Sequence, residues 1–274
     1  MADDTLRISR AGGVVTVTIN IPPYNLVGAE FIVGLFGLLP ELEADESVSV
    51  VVFRSADPDF FLMHGDVQAI LASSPSDEPV TEPNVAAALF ERVHNAPFLT
   101  IGILDGYARG GGCEFLSALD LRVGTVRAII GQPEVPMGIL PGAGGTVRLA
   151  RLLGRAKALE IILSGRDIGV EELLSIGWLQ SVLLSEDLDV AVDVYVDRYA
   201  HLDRRSVLAV KRVMNAALLH DPAAFTIESQ ELNAAMVAGA HRKPMQRFLA
   251  AGGQTRTGEV GSIDPLLTAL READ

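Results

Sequence analysis

Leu104-Asp105-Gly106-Tyr107-Ala108-Arg109-Gly110-Gly111-Gly112-Cys113-Glu114 decides how this chain folds. The residues leading into it, Phe98 to Leu104, form an almost unbroken apolar run, the pattern of a strand covered on both faces. A glycine-rich bend follows and opens a helix. Consecutive glycines there bare the backbone N–H groups, and a helix N-terminus adds about half a positive charge aimed at whatever lies in front of it. That suits a developing oxyanion. A dinucleotide fingerprint needs a second strand ending in an acid about 20 residues beyond its glycines. Glu134 stands at that offset but follows Gln132-Pro133 in a loop. Taken alone, the triple glycine also fits tight helix–strand packing, and Glu114 in a first helical turn also fits a helix dipole, worth under about 1 kcal/mol.

Two more loops have the same character: Phe61-Leu62-Met63-His64-Gly65-Asp66, and Gln132-Pro133-Glu134 with Pro141-Gly142-Ala143-Gly144-Gly145-Thr146. Around them the pattern is strand-rich. Leu6–Arg10 and Val14–Ile19, split by Gly12-Gly13, predict a β-hairpin. A helix is predicted from about Asn25 to Glu43, and Val48–Arg54 reads as a buried strand. Ser73–Pro83, rich in Ser, Pro and acid, predicts a mobile surface loop. Asn84–Asn95 is an amphipathic helix, and short strands are predicted near Leu121–Thr125 and Ala128–Ile130. Beyond Thr146 strands nearly vanish, apart from one near Leu179–Leu184. Helical periods dominate at Arg155–Leu163, Val170–Ile176, Leu188–Ala200, Arg204–Leu219, Pro222–Ala238 and Met245–Ala250. The prediction is an α/β (α+β) body carrying the loops over residues 1–200, then a helical region over 201–274.

Composition narrows the function classes. The 274 residues are 49% hydrophobic and only 5% aromatic, so the core is aliphatic and disorder is excluded. A net charge of −13 argues against nucleic acid or an acidic membrane as partner. With three lysines in the chain, arginines (Arg109, Arg148, Arg151, Arg155 and the Arg242–Arg247 group) are the candidates for holding an anion. The single cysteine, Cys113, excludes an internal disulfide and fits a reducing compartment. As a small thiol it reads as buried rather than nucleophilic. The acidic start, Met1-Ala2-Asp3-Asp4, lacks the pattern of a secretory leader. The longest apolar stretch, Leu26–Leu39, is too short for a bilayer. The expectation is a soluble cytoplasmic protein with no metal site.

Residues Leu104–Glu114 resemble the N-G-x-A-x-G-G-G-x-E segment of the enoyl-CoA hydratase/isomerase (crotonase) family. Gly131-Gln132-Pro133-Glu134, followed by Gly138-Ile139-Leu140-Pro141-Gly142-Ala143-Gly144-Gly145-Thr146, resembles its second signature. Leu163-Ser164-Gly165-Arg166 and Gly177 resemble further landmarks, and the likeness runs from about Leu6 to Phe248. The resemblance implies a spiral of ββα units with a helical C-terminal region that builds a homotrimer, often paired into a homohexamer. It implies an acyl-CoA thioester as substrate and no cofactor, since CoA is part of the substrate. The amides of Gly65 and Gly111 would form an oxyanion hole. Glu114 would deprotonate a water that adds to Cβ, and Glu134 would give the proton to Cα. Met63, His64, Asp66, Gly110, Pro133 and Gly142 would line the substrate site.

Some places depart from the family pattern. Met63-His64 stand where small residues are usual, leaving His64 to line the pocket mouth, contact CoA, or cover the loop. Asn20-Ile21-Pro22-Pro23-Tyr24-Asn25 lacks a basic residue often found near CoA, and Leu249-Ala250-Ala251-Gly252-Gly253 lacks a lysine expected after Phe248. Hydration of a trans-2-enoyl-CoA is the expected reaction. The alternatives are double-bond isomerisation, another acyl-CoA reaction (dehalogenation, thioester hydrolysis, decarboxylation), and a CoA-binding subunit without turnover. A Ser-His-Asp hydrolase using His64 has no G-x-S-x-G elbow to support it.

Overall fold

The computed structural model describes residues 5–75, 78–185, 187–218 and 223–271. Met1-Ala2-Asp3-Asp4, part of the Ser73–Pro83 loop, Leu219 and Pro222 lie outside the described residues.

Strands β1 (Leu6–Ala11) and β2 (Val14–Ile19) form the hairpin, paired antiparallel from Leu6↔Ile19 to Ala11↔Val14. Gly12, at φ 58°, makes the tight turn between them. Strands β3 (Val50–Ser55), β4 (Leu99–Leu104), β6 (Leu121–Gly124) and β9 (Ser181–Val182) extend the sheet in parallel, in the order β1-β2-β3-β4-β6-β9. A second, small sheet joins β5 (Tyr107–Arg109), β7 (Ile129–Gly131) and β8 (Ile168–Gly169). Strand β5 lies inside the stretch read as a plain bend, and β8 falls between the predicted helices Arg155–Leu163 and Val170–Ile176, where no strand was predicted.

β3 explains why its sequence is apolar without alternation. Val51 and Phe53 face the main core, whereas Val50 and Val52 face a second core with Val192, Tyr195 and Val196 of helix Leu188–Ala200. Both faces are covered, so both need apolar side chains. On the main face Phe115 meets Phe31, Phe53 and Phe90 edge-on, with centroids 5.2, 5.1 and 5.2 Å away. Such contacts add to simple burial. They anchor helix Gly111–Ala118, the element that carries Glu114.

Helix starts and ends follow the sequence with small shifts. The first helix begins at Ala29 rather than Asn25. Asn25 is buried at φ 50°, its carboxamide accepting from Ile21 N and donating to Ser55 Oγ, Phe60 O and Phe61 O. Those bonds replace the helical ones and hold the Phe61–Asp66 loop. Helices Gly145–Leu153, Arg256–Glu259 and Asp264–Arg271 were not foreseen. The last joins helix Arg242–Ala250 in a third core, where Met245, Phe248, Ile263, Leu266 and Leu267 bury Val67 and Met137. The C-terminal segment thus closes over the loop that ends at Asp66. Among the described residues no helix is long and apolar enough to cross a membrane.

Candidate active site

Glu114 sits in the first turn of its helix and points at another helix start. Its Oε1 accepts from Ala143 N and Gly145 N, each at 2.8 Å. An added Cβ on Gly145 would stand 2.8 Å from that oxygen, so only glycine lets the carboxylate come this close. Glu228, from helix Ala223–Ala238, reaches the same helix start from the other side. Its Oε2 accepts from Gly144 N at 2.7 Å, and its Oε1 accepts from Thr146 Oγ1 at 2.6 Å and Val147 N at 3.3 Å. Two carboxylates therefore satisfy the orphan N–H groups of one helix. Nothing local in the sequence marked Glu228, although it occupies a stripe position with Phe225, Ser229 and Leu232, where a carboxylate is out of place.

Glu134 follows β7, buried, and its Oε2 has no hydrogen-bond partner within the described residues. Its Oε1 occupies the space a Cβ on Gly110 would need, and Gly110 adopts φ 54°, so this position requires glycine twice over. The two glutamates titrate unlike ordinary carboxyls. Burial pushes Glu114 up to about 8, aided by the nearby Glu228 charge and opposed by the Gly145 and Ala143 amides. Burial raises Glu134 well above its usual value, and the Glu114 charge adds to it, while its own backbone amide opposes it. Two carboxyls in unequal surroundings separate into a readier base and a stronger proton holder.

One cavity of about 550 Å³ gathers Glu114, Glu134, Gly65, Gly111, His64, Asp66 and Gly142, with an apolar wall of Val27, Ile70, Met137, Ile139, Leu232 and Met245. The Gly65 and Gly111 N–H groups are engaged by no other backbone carbonyl among the described residues. In the planar peptide before Gly65 the His64 oxygen accepts from Val27 N at 3.1 Å, which turns the Gly65 N–H the opposite way.

Three of the expected lining residues stand behind this wall. Met63 is bonded through its backbone to Asn25 O and Gly112 N, and its side chain is fully buried. Gly110 is covered by Glu134 and His64, and Pro133 is buried beneath. His64 borders the cavity but its ring turns inward to Glu259 rather than outward to a ligand. Arg109 and Arg148, considered for an anion, are occupied internally: Arg109 by Asp167 and Glu259, Arg148 by Glu91 and Ala143 O. Cys113 is buried, and burial pushes its thiol up to about 12, far from a nucleophile's range. No His/Cys/Asp/Glu group with metal-holding geometry occurs among the described residues.

Comparison with known proteins agrees with this architecture. A candidate enoyl-CoA hydratase from Streptomyces avermitilis superposes with a TM-score of 0.85 at 34% identity, covering 97% of this chain and 98% of that one. DspI of Pseudomonas aeruginosa follows with a TM-score of 0.71 at 26% identity, covering 83% and 93%. A Bacillus subtilis protein assigned to polyketide biosynthesis shares the fold, with a TM-score of 0.78 at 21% identity over 91% and 98%. Residues 9–253 match the sequence model of the enoyl-CoA hydratase/isomerase family. The chain belongs to that family, whose members act on acyl-CoA thioesters.

Proposed function

We propose that this protein is an enoyl-CoA hydratase, adding water across the double bond of a trans-2-enoyl-CoA to give a 3-hydroxyacyl-CoA. The observation that carries the reading is the pair of buried carboxylates with unequal surroundings on one cavity, beside two glycine N–H groups. Glu114, whose anion is eased by two backbone donors, takes a proton from water as its oxygen bonds to Cβ. The charge that appears on the thioester oxygen is held by the Gly65 and Gly111 amides, in a site where such donors are each worth about 3–4 kcal/mol. Glu134, the stronger proton holder, delivers its proton to Cα. The largely apolar wall suits the acyl chain, and the reducing cytoplasm suits a chain with one buried thiol.

Loss of the conjugated enoyl absorbance with crotonyl-CoA tests the reading. Glu114→Gln and Glu134→Gln should each lower turnover at least about 100-fold. The double variant should lose far less than the product of the two, because the pair acts as one unit. Double-bond migration that Glu134→Gln abolishes and Glu114→Gln barely alters would assign an isomerase instead. A folded wild type without turnover would leave a CoA binder.

The oligomer expected from the family is part of this proposal. Helix Arg204–Ala217 buries none of its residues, and Val210, Val213 and Met214 face outward while Lys211 moors it to Ala96 O, Phe98 O and Asp120. Helices Ala223–Ala238 and Arg242–Ala250, in contrast, bury Phe225, Met245 and Phe248 against their own body. A trimer or hexamer covering the Val213 face follows. Light scattering that gives a monomer at micromolar concentration removes it.

A further inference from the structure

Behind the Gly65 loop lies a buried chain of charges that the hydration chemistry does not use. His64 Nδ1 is 2.9 Å from Gly65 O, and His64 Nε2 is 2.9 Å from Glu259 Oε1. Glu259 Oε1 also accepts from Gln254 N at 2.8 Å, and Glu259 Oε2 lies 3.3 Å from Arg109 Nη1. Arg109 donates on to Glu259 O at 2.6 Å, to Gly261 O at 2.7 Å, and to both oxygens of Asp167 at 2.8 and 2.7 Å. His64, Arg109 and Glu259 are all buried. The groups facing the ring are thus Glu259 and Gln254 from the C-terminal segment, Arg109 from β5 with Asp167 behind it, and the edge of Phe248, 5.4 Å away. On its own loop Asp66 is taken by Gln254 Nε2 at 2.7 Å.

Hydrogen-bond counting fixes the state of this ring. A carbonyl oxygen and a carboxylate oxygen are both acceptors, so both His64 nitrogens must carry a proton. The alternative, a protonated Glu259, conflicts with its partners, since Gln254 N and Arg109 also donate to it. Two cations and two anions then balance in the interior. Burial alone would lower the affinity of His64 for its proton, but the Glu259 charge and hydrogen bond outweigh it and leave it raised. His64, Gln254 and Glu259 tie the loop to a segment almost 200 residues downstream. Gln254 Oε1 accepts from Val67 N at 2.9 Å, one residue past Asp66.

We propose that His64 is a positioning residue of the active site: its imidazolium, clamped by Glu259, holds the Gly65 carbonyl and so keeps the Gly65 N–H aimed into the cavity. The inference rests on Gly65 being one of the two oxyanion donors. His64 itself touches no substrate, and the C-terminal segment becomes part of the catalytic apparatus through it.

Three measurements on the whole chain test it. In the 15N-histidine-labelled wild type, both ring nitrogens of His64, assigned by their loss in His64→Gln, should resonate as protonated N–H near neutral pH. One pyridine-like nitrogen would overturn the proposal. With cinnamoyl-CoA, whose absorption moves to longer wavelength as its carbonyl is polarised, His64→Gln and Glu259→Gln should shrink the red shift. With crotonyl-CoA they should lower kcat about 10-fold or more while KM changes little, as expected for a misplaced donor. Folded variants with wild-type red shift and kcat would overturn it. Failure of the underlying reading has a different signature: Gly65→Pro would then also leave the red shift and kcat intact.

Discussion

The two glycines that offer their N–H groups to the cavity are held by opposite kinds of structure. Gly111 opens a helix whose next side chain but three, Phe115, is gripped by three aromatic rings of the body. Its placement follows from the local order strand, glycine bend, helix. Gly65 lies on a loop without regular structure of its own, and its fixing bonds come from Val27, Gln254 and, through His64, Glu259. One donor is set by neighbours in sequence and the other by the distant end of the chain. The lesson is that one oxyanion site can be half local and half remote. Its two halves should fail differently.

Removing either donor tests that contrast and carries the largest expected effect. Gly111→Pro and Gly65→Pro should each cut kcat by about 100-fold or more, since proline deletes the N–H. The two sites differ in room. A Cβ at Gly111 would stand 2.9 Å from Val27 Cγ2, whereas at Gly65 the nearest atom is Ile70 Cδ1 at 3.5 Å. Gly111→Pro is therefore best made with Val27→Ala, and Gly111→Ala in the same background serves as the control that keeps the N–H. Gly65→Pro should leave the melting temperature nearer to wild type than Gly111→Pro alone. Unchanged kcat in a folded proline variant would mean that the thioester carbonyl is held elsewhere.

The same contrast explains what was legible in the sequence. The strands read at Val48–Arg54 and Phe98–Leu104 were legible because burial on both faces leaves a nearly unbroken apolar run. Glu114 and Glu134 were readable because their glycine-rich motifs are contiguous. Helix Gly145–Leu153 was missed because glycines flank it at Gly144 and Gly154 and mask its start and end. Glu228, Gln254 and Glu259 gave no local sign, since the loop groups they hold lie 81 to 195 residues away. Arg109 misled for the same reason: a cation beside the glycines suggests an anion site until Asp167 and Glu259 are seen to fill it. Met63 and His64, bulky where small residues are usual, looked like intrusions into the pocket. They are instead the interior side of a loop tied down from behind.

A second test asks how much stability the carboxylate cluster costs. The folded value of Glu114, about 8, lies above its ordinary 4.5, so the native state holds the proton longer than the unfolded chain. Stability from this group is complete in acid and is lost as pH rises through about 8. Glu134 and His64 act in the same sense, being raised above 4.5 and 6.5 respectively. His94 and His241 are lowered and oppose the trend only below 6.5. Glu172 and Glu259, lowered from 4.5, contribute stability that is lost only in acid. Between pH 6.5 and 8 denaturation should therefore show stability falling with pH, and Glu114→Gln should flatten the slope by up to about 1.4 kcal/mol per unit. An equal slope in both proteins would mean that Glu114 ionises as freely folded as unfolded.

The smallest effect belongs to Glu228, and it separates tuning from mere capping. Glu114 and Glu228 share the N-terminus of helix Gly145–Leu153, and the Glu228 charge ranks just after burial among the causes that raise Glu114. Burial raises Glu228 as well, while Thr146 Oγ1, Gly144 N and Val147 N donate into it and favour its anion. Glu228→Gln keeps an acceptor for one of these groups and removes the charge. Glu114 should then ionise at lower pH, and the acid limb of kcat/KM with crotonyl-CoA should move down by about one unit or less. The lost acceptor should also cost about 1–3 kcal/mol in denaturation. Glu228→Asp retains the charge with shorter reach, so it should lower stability while leaving the limb near its wild-type position. A limb that stays fixed in Glu228→Gln, with stability reduced, would make Glu228 a helix cap and nothing more.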